Sequence, residues 1–175
     1  MIRYCITDRM QADVIDTARR AIDAGTEMLQ IREKALEAAE LLDLVIRVVE
    51  IAGGTSTKVL VNDRLDVALA AGADGVHLPG DGLPIRLIRS HIALIGVSTH
   101  TIAEVRNAEV GGADFVVFGP IFDTPGKTAT GLTLLEEACS AVEIPVLAIG
   151  GMNEENTPTA TRAGAAGIAG IRMFL

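Results

Sequence analysis

Cysteine is scarce in this chain: two in 175 residues, Cys5 and Cys139, with no metal-ligand spacing. That scarcity excludes a disulfide framework and a cysteine-based metal centre, and both residues read as small buried hydrophobes. Long apolar runs are missing too. Asp, Arg or Gly interrupts each within about 10 residues, too soon for a bilayer span. The opening Met1-Ile2-Arg3-Tyr4-Cys5-Ile6-Thr7-Asp8 is too short and too early for a secretory signal and reads as a strand. A cytoplasmic location is the default expectation. Positive charge is in deficit: 15 Lys and Arg face 23 Asp and Glu, a net charge of −8. This argues against nucleic acid and anionic membranes, which bind basic faces by displacing counterions. A small anionic substrate stays open, because it needs only a few local cations. No linker or low-complexity segment divides the chain, so a single domain over 1–175 is expected.

What is present is a repeated phrase. A small-residue pair, then an apolar run, occurs at Ala24-Gly25 before 28–32, Ala71-Gly72 before 75–78, Gly111-Gly112 before 115–118, and Ala163-Gly164 before 167–171. Glycine past a helix end accepts the left-handed cap conformation, and an apolar strand without alternation is buried on both faces. An apolar content of 49% and a mean hydropathy of +0.38 suit a largely buried parallel sheet.

Strands are expected near 2–7, 28–33, 58–62, 75–79, 94–98, 115–119, 145–150 and 167–172. Helical spacing lies between them, as in Val14-Ala18-Ile22 and in Leu41, Leu42, Val45, Val48 and Val49. Asn153 is the expected cap of the helix that follows Gly150-Gly151, with Glu154 and Glu155 in its first turn. Eight strands alternating with helices predict an α/β fold, the TIM (β/α)8 barrel. The alternative, an open doubly wound sheet, lacks its Gly-x-Gly-x-x-Gly turn after the first strand, where Thr7-Asp8-Arg9 stands. Phe174-Leu175 follow the eighth strand so closely that the expected barrel is short and lacks its closing helix. A partner such as a second copy, a substitute helix, or truncation of the chain would account for the bare flank.

Chemistry belongs at the strand ends. In Gln30-Ile31-Arg32-Glu33-Lys34, alternation turns Gln30, Arg32 and Lys34 to one side; Arg32 and Lys34 either serve a ligand or form salt bridges with Glu33 or Glu37. Asn62-Asp63 is either a helix cap or a diphosphate contact beside a hard oxygen ligand for Mg²⁺. His77 on its apolar strand reads as a packed, hydrogen-bonded core residue, and Asp81 as a turn former unless a metal draws it towards Asp63. Gly96-Val97-Ser98-Thr99-His100 supplies two hydroxyls and an imidazole, either for a helix cap or for ligand contacts. The loop from Gly119 to Gly131 is longer than the usual connection of about 2–6 residues and carries Lys127 in a Gly- and Thr-rich setting suited to phosphate. Gly150-Gly151 and Gly167–Gly170 lie where barrels bind phosphate through backbone amides.

Seven motifs taken in order resemble the thiamine phosphate synthase superfamily, which includes synthases and a thiazole tautomerase branch. They are Tyr4–Asp8, Gln30–Lys34, Val61–Asp63, Gly72–Leu78, Gly96–His100, Phe118–Phe122 with Thr124 and Lys127, and Ala148–Gly151. The resemblance implies a Mg²⁺-dependent transferase that joins an aminopyrimidine methyl diphosphate to a thiazole phosphate. It implies that Gln30, Arg32, Lys34 and Asn62 hold the pyrimidine diphosphate, that Ser98 and Lys127 reach its phosphates, and that Asp63 binds the metal. Arg32, Lys34 and Lys127 are then the catalytic cations. Thr124, Gly151 and the end of the eighth strand take the thiazole phosphate.

Three positions depart from the family pattern. The second metal aspartate is expected where Gly82 stands, with Asp81 one residue early and able to reach the ion through a shifted turn. Gly126 replaces a threonine, and Ile171-Arg172 replace valine and serine, so that Arg172 would contact the phosphate directly. The tautomerase branch, which Leu78-Pro79 and the altered turn resemble, places its proton-moving histidine at Pro120, and proline does no acid–base chemistry. A phosphate-binding barrel without turnover is the third reading.

Overall fold

A computed structural model describes residues 1–174. Eight parallel strands close into a barrel in chain order: β1 (Ile2–Ile6), β2 (Met28–Ile31), β3 (Lys58–Asn62), β4 (Gly75–Leu78), β5 (Leu94–Thr99), β6 (Phe115–Phe118), β7 (Val146–Ile149) and β8 (Gly167–Gly170). Closure comes from β8 pairing back onto β1, with Ile2 opposite Gly167 and Cys5 opposite Gly170. The intervening helices are α1 (Val14–Asp23), α2 (Ala38–Ala52), α3 (Leu65–Ala71), α4 (Ile85–Ile88), α5 (Ile102–Gly111), α6 (Leu132–Ser140) and α7 (Thr157–Arg162). The glycines ending the four repeats, Gly25, Gly72, Gly112 and Gly164, all have left-handed φ, between 69° and 97°, which turns each helix end back towards the next strand.

Alternation along each strand sorts side chains into two layers. Outward residues such as Cys5, Leu29, Ile31, Val59, Val61, Val76, Ile95 and Val116 pack under the helices. Inward residues Tyr4, Ile6, Met28, Leu60, Phe115, Val117, Leu147 and Ala169 fill the barrel interior, whose small bore demands that large side chains face small ones. Gly96 shows this: a Cβ there would lie 2.3 Å from Phe115 Cζ and 2.8 Å from His77 Nδ1. Its missing side chain makes room for an aromatic group in which Tyr4 meets Phe115 edge-on at 5.4 Å.

Some boundaries differ from the sequence expectation. β2 stops at Ile31, although the Arg32 N–H still donates to Thr7 Oγ1 at 3.0 Å. Helix α7 starts at Thr157 rather than just after Asn153; Asn153 and Asn156 instead exchange side-chain-to-backbone bonds of 2.9 Å that close the preceding turn. Past β8 the described residues form a 3-10 turn, Arg172–Phe174, with Phe174 buried beneath the Arg3 guanidinium, 5.2 Å from its ring centre. Both cysteines are free thiols; Cys5 is buried as expected, whereas Cys139 is only half-buried, and burial pushes Cys5 up to about 12. No helix among the described residues is long and apolar enough to cross a membrane.

Candidate active site

A cavity of about 740 Å³ opens at the C-terminal mouth of the barrel, where the strand alternation delivers its inward residues to solvent. Of the residues singled out from sequence, Gln30, Arg32, Lys34, Asn62, Asp81, Ser98, Thr124 and Lys127 line it together. They come from five βα segments, far apart in sequence. Asp63 lies one step aside, lining a smaller space of about 290 Å³ that shares Lys34 and Asn62 with the main cavity. Gly151 and Arg172 are not among the lining residues; Gly150 takes the place expected of Gly151, and Arg172 Nε donates to Gln11 Oε1 at 3.2 Å.

Among the described residues the cations are held without carboxylate partners. The described ion pairs join Lys58 to Asp74, Arg64 to Asp66 and Arg89 to Asp114, and none involves Arg32, Lys34 or Lys127. Glu33, a suggested partner for Arg32 or Lys34, is instead buried and is not among the residues lining this cavity. It accepts from Thr7 Oγ1 at 2.6 Å and from the Arg9 N–H at 3.1 Å, tying the loop after β1 to the end of β2. Three cations facing one cavity, with only Asp81 and Glu104 as acids among its lining, favour an anionic ligand even in a protein of net charge −8.

Lys127 owes its place to a tight turn. Thr124 and Lys127 exchange backbone hydrogen bonds of 3.2 and 3.0 Å around Pro125-Gly126, and Gly126 has φ 78°. Proline followed by glycine with positive φ is the type II turn pattern. The Gly126 departure is therefore a backbone requirement of this loop. Asp123 Oδ1 accepts from the Ala129 N–H at 2.9 Å, and Thr130 Oγ1 donates to the Pro120 carbonyl at 2.8 Å, so the loop is braced by its own bonds.

Beneath the cations lies a buried polar chain that only the tertiary structure assembles. Gln30 Nε2 donates to the Tyr4 hydroxyl at 2.9 Å, Tyr4 Oη lies 3.2 Å from His77 Nδ1, and His77 Nε2 lies 2.9 Å from Ser98 Oγ. Tyr4, Gln30 and His77 are 0%, 1% and 3% exposed. Burial, with Arg32 adding repulsion, pulls the His77 imidazole down to about 3, and burial raises the Tyr4 phenol well above its ordinary value. Both stay neutral at physiological pH. His77 is thus the packed, hydrogen-bonded residue expected from sequence, yet it also forms part of the cavity floor. His100, whose imidazole the sequence leaves open to a helix-cap or a ligand role, and Glu104, which the sequence does not single out, also line the cavity; His100 Nδ1 lies 2.6 Å from the Gly119 carbonyl, and Glu104 accepts from the His100 N–H at 2.6 Å.

Asp63 has φ 55°, the sole non-glycine residue with positive φ among those described, and its N–H donates to the His77 carbonyl at 2.9 Å. Such a conformation is uncommon for a residue with a side chain and clusters at functional sites. No group of three or more His, Cys, Asp or Glu suited to a metal exists among the described residues. Asp63 and Asp81 are both exposed at the barrel mouth.

Comparison with known proteins agrees with this geometry. The family described as thiamine monophosphate synthase matches residues 3–174. A thiamine-phosphate synthase of Roseiflexus castenholzii is 38% identical over 184 residues, covering 99% of this chain and 81% of the relative. One from Methanospirillum hungatei is 39% identical over 182 residues, covering 98% and 88%. Among solved structures, thiamine phosphate pyrophosphorylase from Pyrococcus furiosus superposes with a TM-score of 0.90 at 33% identity, covering 97% of this chain and 85% of that one. A (β/α)8 barrel whose mouth gathers these cations, matched along almost its whole length, belongs to the thiamine monophosphate synthase family.

Proposed function

We propose that this chain is a thiamine phosphate synthase, joining an aminopyrimidine methyl diphosphate to a thiazole phosphate with release of pyrophosphate. The observation that carries the reading is the convergence of Arg32, Lys34 and Lys127, free of ion pairs among the described residues, on one cavity with Gln30, Asn62 and Ser98. In the reaction, the bond between the pyrimidine methylene carbon and the diphosphate oxygen breaks, and its electron pair leaves with pyrophosphate. The thiazole nitrogen lone pair then forms the new carbon–nitrogen bond. The three cations stabilise the charge that gathers on the leaving group, while Gln30 and Asn62 orient the pyrimidine and Thr124 approaches the thiazole phosphate. Charge-assisted bonds of this kind in a closed site are each roughly twice as strong as neutral ones.

Mg²⁺ fits the residues present. It commonly takes one or two carboxylates and completes its octahedron with phosphate oxygens and water, and Asp63 and Asp81 are two exposed carboxylates at the mouth. These residues would hold the ion, which when bound supplies further neutralisation of the diphosphate. The substrates are small molecules, and the apolar carbons of Ile6, Val117, Ile149 and Ile171 at the cavity wall suit the two heterocycles.

The test is pyrophosphate release from the two substrates together, with and without Mg²⁺, with the product identified by mass. Metal-dependent release accompanied by thiamine phosphate is the expected result. A folded protein that isomerises the thiazole without metal, or binds the phosphates without turnover, would replace this reading.

A further inference from the structure

The buried chain Gln30–Tyr4–His77–Ser98 has a direction, and the direction bears on the ligand. We propose that His77 is a positioning residue: held by Tyr4 with its proton on Nε2, it donates to Ser98 Oγ and so turns the Ser98 hydroxyl proton towards a phosphate oxygen in the cavity. This rests on the diphosphate reading of the cavity.

The argument is a count of protons. The Gln30 amide donates to Tyr4 Oη at 2.9 Å, which leaves the single phenolic proton to be given away, and His77 Nδ1 at 3.2 Å is the acceptor in place. A neutral imidazole that accepts at Nδ1 carries its proton on Nε2. Nε2 lies 2.9 Å from Ser98 Oγ, which therefore accepts, and the serine's own proton is left for the cavity that Ser98 lines. An anion has acceptors only. The reverse direction would spend the Ser98 proton on His77 and present a lone pair to the diphosphate, which repels it.

Packing holds the imidazole in this pose. Phe115 lies 6.0 Å from its ring centre and Tyr4 5.7 Å, and the bare backbone of Gly96 passes close to Nδ1. A protonated His77 would donate from both nitrogens and leave the Tyr4 proton without an acceptor, so the buried, neutral state is the one the chain requires.

The experiment reads the tautomer and then its consequence. In ¹⁵N-imidazole NMR of the full chain between pH 5 and 8, with the His77 signals assigned by their loss in His77→Gln, Nε2 is expected to carry the proton and Nδ1 to be bare. A proton on Nδ1 would overturn the proposal. Calorimetry with inorganic pyrophosphate and Mg²⁺ then forms a double-mutant cycle. Ser98→Ala is expected to weaken binding roughly tenfold, as for loss of one hydrogen bond to a charged group. Tyr4→Phe, which keeps the ring's shape, is expected to weaken it severalfold in wild type and not at all in the Ser98→Ala background. A Tyr4→Phe loss of equal size in both backgrounds, or no pyrophosphate binding by wild type, would refute the relay. Neither readout needs turnover, so a protein that shows the Nε2 proton and the coupling but makes no thiamine phosphate refutes only the synthase reading.

Discussion

Replacing Gly96 by alanine tests how tightly the barrel interior and the site are joined. The added Cβ would lie 2.3 and 2.7 Å from Phe115 Cζ and Cε2 and 2.8 Å from His77 Nδ1, all far inside van der Waals contact. Phe115 is 3% exposed and His77 3%, so neither ring has empty space to enter. Overpacking of this kind costs about 1–3 kcal/mol. At roughly 2–4 °C per kcal/mol for a chain of this size, the melting temperature should fall by about 2–12 °C. Thermal unfolding followed by circular dichroism reads this directly. The reasoning also says which contact is at fault: Gly96→Ala combined with Phe115→Leu should recover most of the loss, because a smaller residue vacates the space claimed by the methyl. If His77 is pushed away from Ser98, pyrophosphate affinity should fall as well. A variant that melts within about 1 °C of wild type, with unchanged affinity, would refute the interior packing described here.

Lys127→Ala and Arg32→Ala should each lower synthase turnover at least tenfold, on the order of 1.4 kcal/mol of transition-state stabilisation, measured by pyrophosphate release; unchanged rates in both would remove the diphosphate site. Asp63→Asn should raise the Mg²⁺ concentration needed for half-maximal rate, and Asp81→Asn separates ligand from turn former, since asparagine keeps the turn but weakens a metal site; equal Mg²⁺ dependence in Asp81→Asn assigns that residue to structure. His77, lowered to about 3 from an ordinary 6.5, gives a signed pH dependence. The unfolded chain binds a proton that the folded chain excludes, so this group's contribution is complete above pH 6.5 and is lost as the pH falls towards 3, by up to about 1.4 kcal/mol per unit. Chemical denaturation at pH 7 and pH 4 should therefore show a smaller acid loss in His77→Gln than in wild type; parallel loss in both would place the imidazole in solvent.

Much of the site could be read along the chain because barrel strands impose a simple rule. A buried parallel strand alternates inward and outward, and its C-terminal end opens at the mouth, so strand-end residues such as Gln30, Arg32, Asn62 and Ser98 are to be sought there, and with Lys34 and Lys127 they line the cavity. Asp63, Gly151 and Arg172 lie outside that lining because their positions depend on how the chain leaves the strand. A left-handed residue at 63 and a 3-10 turn from 172 are decided by loop geometry that no periodicity announces. Asn153 misled for the same reason: its side chain closes a turn ahead of α7 instead of the helix itself.

By itself, the sequence determined the alternation of eight strands with helices that makes the barrel, and the helix-ending glycines, because each depends on local propensity or on two-residue alternation. Only the tertiary structure decided that Tyr4, Gln30, His77 and Ser98, drawn from four strands, share protons in one buried chain, and that Glu33 serves Thr7 and Arg9 instead of the neighbouring cations. Hydrogen bonds across a closed barrel depend on which inward residues fall at the same height. That height is set by the stagger of all eight strands together, a property of the closed sheet and of no single segment.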